Sequence, residues 1–147
     1  MQTNLTANVK LCFLIFVTIA QFCSCSSTKK VPFVTSTVVP GAEGGIKVKK
    51  DKNKNYTIDV HVENLADPKK LTPPKNTYVV WIETKEVGAK NIGQVKSSSS
   101  MFSKAKKASI STVSTQKPTR VYLTAEDDPN ITTPGTQIVL TTETFGN

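Results

Sequence analysis

Tyr56-Thr57-Ile58-Asp59-Val60-His61-Val62-Glu63 alternates without a break. Only an extended strand with one face buried puts Tyr56, Ile58, Val60 and Val62 on one side and Thr57, Asp59, His61 and Glu63 on the other. Gly45-Ile46-Lys47-Val48-Lys49-Lys50 has the same period, and the polar Asp51–Asn55 run between the two reads as a hairpin turn. Lys47 and Lys49 on one strand and Asp59 and Glu63 on the other are expected to pair across it. Further β-branched runs follow at Phe33–Val39, Thr77–Thr84, Lys90–Val95, Ala108–Val113, Arg120–Glu126 and Gln137–Glu143, separated by Pro40-Gly41, Pro73-Pro74, Val87-Gly88-Ala89 and Pro134-Gly135. Thr77–Thr84 is apolar on both faces, as a central strand covered on both sides would be. Only Met101–Ala108 could turn helically. About seven to eight short strands at this spacing predict an all-β fold, an antiparallel sandwich of immunoglobulin-like or jelly-roll-like kind.

A chain of 147 residues is sized for one such domain. Its 37% hydrophobic content is low but sufficient for a small core. One His, and no Cys after position 25, exclude a His/Cys zinc cage in the folded part. No GxxxxGK[ST] and no GxGxxG is present, so the nucleotide-binding fingerprints are missing. The net charge of +8 comes from lysine, 18 of the 19 basic residues, without the interleaved Arg and aromatics of a nucleic-acid reader. A cationic surface facing anionic lipid or envelope polysaccharide is the better expectation.

The first residues read as an address. Lys10 is the only charge before residue 29 and precedes the apolar run Leu11–Ala20. A positive start followed by a short apolar stretch is the pattern of a secretory signal. The run is short for a membrane span, and an uncleaved anchor extending to Cys25 is the alternative. Gln21-Phe22-Cys23-Ser24-Cys25 then resembles the lipobox of bacterial lipoproteins, with Ser24 as the small residue before the cut and Cys25 as the acylated one. Phe22 stands where that family usually has Leu. The alternative is a free thiol at Cys25, which an oxidising compartment disfavours. Residues 1–24 are accordingly expected to be a signal peptide, 25–32 a tether and 33–147 the β-sandwich. Lys29 and Lys30 in that tether could approach anionic headgroups, and a plainly solvated linker is the favoured reading. Some lipoproteins of Bacteroidetes type that reach the cell surface have an acidic stretch just after the Cys; none follows Cys25, so the resemblance implies a lipid anchor on the periplasmic face of the outer membrane rather than at the cell surface.

Leu71-Thr72-Pro73-Pro74 with Tyr78-Val79-Val80-Trp81, then Ile92-Gly93, and the closing segments Val121–Glu126 and Pro134–Leu140, resemble the extracytoplasmic C-terminal domain of anti-sigma-K-type factors. The chain is also similar to small lipoproteins of Bacteroidetes type. The first resemblance implies a β-sandwich outside the membrane and leaves a sensory accessory role as an alternative function. Anti-sigma activity is not implied, because the sigma-binding part of that family precedes this domain and here only a signal stands there.

The candidate site residues are few. Tyr78 and Trp81 could form a ligand shelf or belong to the core; three residues apart on a strand they lie on opposite faces, which favours a core role for Trp81. Asp59, His61 and Glu63 share a face and could in principle ligate a metal, although a solvated ion-paired face explains them more simply. Glu126, Asp127, Asp128 and Asn130 could offer oxygens to Ca²⁺ or form an ordinary turn. An enzyme would need a carboxylate pair such as Glu83 and Glu126 converging in a pocket. The reading that absorbs most of these residues is a non-enzymatic envelope lipoprotein without cofactor or metal, anchored to membrane through Cys25, whose sandwich binds a protein or glycan or serves structurally.

Overall fold

The computed structural model describes residues 27–95 and 107–146. Eight strands run in the order β1 Thr28–Pro32, β2 Glu43–Lys50, β3 Tyr56–Glu63, β4 Thr77–Thr84, β5 Gly88–Val95, β6 Lys107–Ser114, β7 Pro118–Glu126 and β8 Ile138–Thr141. They form two four-stranded antiparallel sheets, β1-β2-β3-β6 and β5-β4-β7-β8. The all-β sandwich expected from the alternation is the fold. With β1 set aside, β2-β3-β6 facing β5-β4-β7-β8 is the Greek-key order of an immunoglobulin-type sandwich rather than of a jelly roll.

The core follows from period two. Ile46 and Val48 of β2 and Ile58, Val60 and Val62 of β3 face Tyr78, Val80 and Ile82 of β4 and Val121, Leu123 and Ala125 of β7. The polar positions of β3 point outward, as the alternation requires. Of the charge pairs expected across β2 and β3, Lys47 and Asp59 lie directly opposite each other in register, and the carboxylates of Asp59 and Glu63 also reach β6. Glu63 meets Lys107 of β6 at 3.2 Å, and Asp59 accepts a hydrogen bond from Ser111 Oγ at 2.6 Å. Lys49 lies opposite Thr57, and Glu63 opposite Glu43, so the register brings no lysine of β2 to Glu63.

The start of the domain departs from the sequence reading. Thr28–Pro32 is not tether but an edge strand, pairing with β2 from Thr28↔Lys49 to Pro32↔Gly45 and burying Val31 opposite Ile46. Pro32 is tolerated because it closes an edge strand. Conversely Phe33–Val39 is not a strand. It joins no strand ladder, making one isolated bridge from Phe33 to Thr142, and Ser36 Oγ takes the backbone N–H groups of Val38 and Val39. A serine hydroxyl that captures its own backbone offers the chain a turn instead of a ladder. Phe33 N still donates to Gly44 O while Val34 N donates to Thr141 O, so the chain leaves the first sheet and touches the second within two residues. The helical option at Met101–Ala108 falls mostly outside the described residues, and Lys107 and Ala108 belong to β6.

All strands run between two ends. One end carries the start of β1 and the turns β2–β3, β4–β5 and β6–β7. The other carries the Phe33–Ala42 loop and the connections β3–β4 and β7–β8. Eight-residue strands separate the ends by roughly 25 Å.

Gly44 shows how tightly β2 is held between its neighbours. Its φ is +142°, and a Cβ there would sit 2.1 Å from His61 O. That backbone region is essentially reserved for glycine. Gly44→Ala should therefore lower the unfolding free energy by about 2–4 kcal/mol, whereas Gly41→Ala, with nothing within 4 Å of the new Cβ, should change it little. Urea denaturation of the two variants checks this.

Candidate functional site

Tyr78 and Trp81 are both buried, on opposite faces of β4 as expected. Tyr78 belongs to the main core, and its hydroxyl donates to Ala66 O at 3.1 Å. Burial, with Asp67 nearby, pushes its pKa up to about 12. Trp81 sits on the outer face of the second sheet with Val79 and Tyr122. Its indole stacks on Tyr122 at 6.5 Å between ring centroids, and its Nε1–H donates to Thr124 Oγ1 at 2.8 Å. The Arg120 guanidinium lies over the other end of the Tyr122 ring, 5.0 Å from its centroid, and reaches Glu83 at 3.7 Å.

What covers Trp81 is the β7–β8 connection. Ile131 packs against the cluster, and Asn91 of β5 donates through one Nδ2 to Pro129 O at 2.9 Å and Ile131 O at 2.8 Å. Trp81 is thus a core residue of a second, smaller cluster, and neither aromatic forms a ligand shelf.

The metal-like constellations do not converge. His61 Nε2 and Glu63 Oε1 are 2.9 Å apart, while Asp59 is engaged by Ser111. The hydrogen bonds from His61 and Lys107 hold the Glu63 carboxyl below the usual carboxylate range. In the acidic loop, Asp127 pairs with Lys75 Nζ at 2.6 Å, and Asp128 Oδ1 accepts from Asn130 N at 2.8 Å. Glu126 turns away from both, toward Gly135. Among the described residues no three His, Cys, Asp or Glu side chains are grouped to hold a metal. Glu83 and Glu126 lie opposite Arg120 and Thr77, six positions apart along β4, or roughly 20 Å. They form no carboxylate pair. Ser24 and Cys25 lie outside the described residues.

The feature with the most chemistry is a cleft of about 1090 Å³ at the loop end of the sandwich. Leu71, Thr72 and Pro73 line one side, and Glu126, Gly135 and Gln137 the other. Glu126 is only 7% exposed, yet it is a charged residue at the last position of β7. Its Oε1 accepts from Gly135 N at 2.8 Å. A Cβ at Gly135 would come within 2.7 Å of Oε2, so glycine is what lets the carboxylate lie over this turn. Gln137 Nε2 approaches Thr72 O at 3.5 Å, and its Oε1 is buried without a hydrogen-bond partner. A buried acceptor left unpaired costs about 1–3 kcal/mol. Glu126 and Gln137 thus set acceptor oxygens into the wall of the cleft, one of them unpaired. Sequence reasoning placed Glu126 in an acidic loop and missed Gln137. No protein-family model, no curated protein and no solved structure matches this chain.

Two outcomes test the buried aromatics. Asn91→Ala should release the loop from Trp81, costing about 1–2 kcal/mol; because Trp81 is the single tryptophan, its fluorescence should shift to the red and become more open to acrylamide. Unchanged quenching would contradict the role of Asn91. For Tyr78, the neutral form is the one folding favours. Its contribution to stability is complete below pH 10, the ordinary tyrosine value, and is lost as pH rises from 10 toward 12. Tyr78→Phe should remove the late component of the alkaline absorbance titration.

Proposed function

We propose that this chain is an exported lipoprotein, acylated at Cys25, whose β-sandwich is a non-catalytic binding module of a bacterial envelope, with the cleft at Glu126 as its ligand site. The observation that carries the reading is an opposition of ends. The first described strand begins at Thr28, three positions after Cys25, while the cleft opens at the other end of the strands. A module held at one end presents its loops at the other. The unpaired oxygen of Gln137 and the buried carboxylate of Glu126 suit a protein segment or glycan rich in donors. The lipobox-like Ser24-Cys25 and the lack of any later Cys support anchoring through this one thiol.

Labelling of cells with a tagged fatty acid should mark the wild type and not Cys25→Ala, and the variant should leave the membrane fraction or persist as precursor. Equal labelling of both would overturn the anchor. Immobilised sandwich should retain a component of envelope extracts that Glu126→Gln, equally stable in urea, does not. Retention by both proteins would take the ligand out of this cleft.

A further inference from the structure

The end of the sandwich from which the chain emerges has a composition of its own. From Thr28 to Glu63, seven lysines stand against four acids. From Asn64 to Val95 and from Thr115 to Gly146 together, seven basic residues meet seven acids. The charge excess of these parts therefore lies on the first sheet. It is concentrated toward one end: Lys29, Lys49, Lys50, Lys52 and Lys54 cluster around the start of β1 and the β2–β3 turn. Lys117 joins Lys29 and Lys50 at a shallow hollow there. The acids at this end are already occupied or offset. Asp51 holds Asn55 through N at 2.8 Å and Nδ2 at 3.1 Å, Glu83 faces Arg120, and Glu86 adjoins Lys85 in the β4–β5 turn; Glu143 lies on the side of the second sheet.

A second observation points the same way. The two most exposed large apolar side chains among the described residues are Val113, at 64%, and Val87, at 61%. Val113 lies opposite Thr57 near the end of β6, and Val87 sits in the β4–β5 turn, so both belong to this same end. Lysines with two exposed apolar side chains at the same end match the boundary of a bilayer, where anionic headgroups border acyl chains. The spacing to the anchor fits as well. The three residue steps from Cys25 to Thr28 can span at most about 10 Å.

We propose that this end of the sandwich docks on an anionic phospholipid surface, lysines on the headgroups and Val87 and Val113 at the acyl boundary. The geometry of approach rests on lipidation at Cys25, but the surface itself is testable without it. Residues 26–147 without lipid contain every described strand. They should partition onto vesicles of equal parts phosphatidylglycerol and phosphatidylcholine, weaken with added salt, and ignore pure phosphatidylcholine. Lys49→Gln with Lys52→Gln, both exposed, should lose roughly 25-fold, at about fivefold for each lysine. Lys69→Gln with Lys70→Gln, the same charge change at the loop end, should lose little. Val87→Asn with Val113→Asn should lose severalfold at unchanged charge. Equal losses from the two lysine pairs would reduce the effect to net charge and overturn an oriented surface. Binding to dextran sulfate but not to the vesicles would make the face a polyanion site and overturn lipid docking. Absence of fatty-acid label at Cys25 would remove the anchor while leaving the vesicle result to stand or fall by itself.

Discussion

The pairing of β4 with β7 is the constraint on which the rest of the molecule depends. Both strands are buried on two faces, Tyr78, Val80 and Ile82 with Val121 and Leu123 toward the first sheet, Val79 and Trp81 with Tyr122 away from it. A strand apolar on both sides needs two covers. The first sheet is one. The other is the β7–β8 connection, pinned by Asn91 and packed through Ile131. Because that connection is spent on covering Trp81, its far part turns back at Pro134-Gly135 and closes the cleft over Glu126. The packing requirement of one central strand thus positions the only cleft residue that carries a buried charge.

The fold was legible wherever one face of a strand is wet. β2, β3 and β6 alternate because solvent lies outside them, and their registers follow the pattern residue for residue. β4 was legible for the opposite reason, an apolar run too short and too β-branched for a helix. Legibility failed at the entry to the domain. Thr28–Pro32 contains one buried residue, Val31, and an edge strand needs no more than that. Phe33–Val39 has the composition of a strand, but Ser36 diverts its backbone into a turn, and a hydroxyl that will cap two N–H groups is indistinguishable in sequence from one that will not.

The candidate site was only half legible. Glu126 stood out as an acid in a run of three, and the run suggested a shared cation. In the fold the three carboxylates diverge, to Gly135, Lys75 and Asn130. Glu126, the last residue of β7, shares the outer face with Tyr122 and Thr124 and is buried against the turn at Gly135, whereas Asp127 and Asp128 lie in the exposed turn that follows. Gln137 had no sequence signal of its own, since its significance is an oxygen left without a donor, which is a property of packing. The lysines carried information that composition alone concealed, because an overall excess says nothing of which end holds it.

The antiparallel ladder of β1 on β2 gives the entry point a mechanical character. The five register pairs from Thr28 to Pro32 have hydrogen bonds perpendicular to the strand. A pull on the N-terminus toward the end where β1 begins acts along the strand, so the ladder is loaded in shear, with its bonds sharing the force instead of opening one after another. The bridge from Phe33 to Thr142 and the bond from Val34 to Thr141 O continue that resistance into the second sheet. A domain tugged between its leash and whatever its loops hold would transmit tension across both sheets before any strand peeled away.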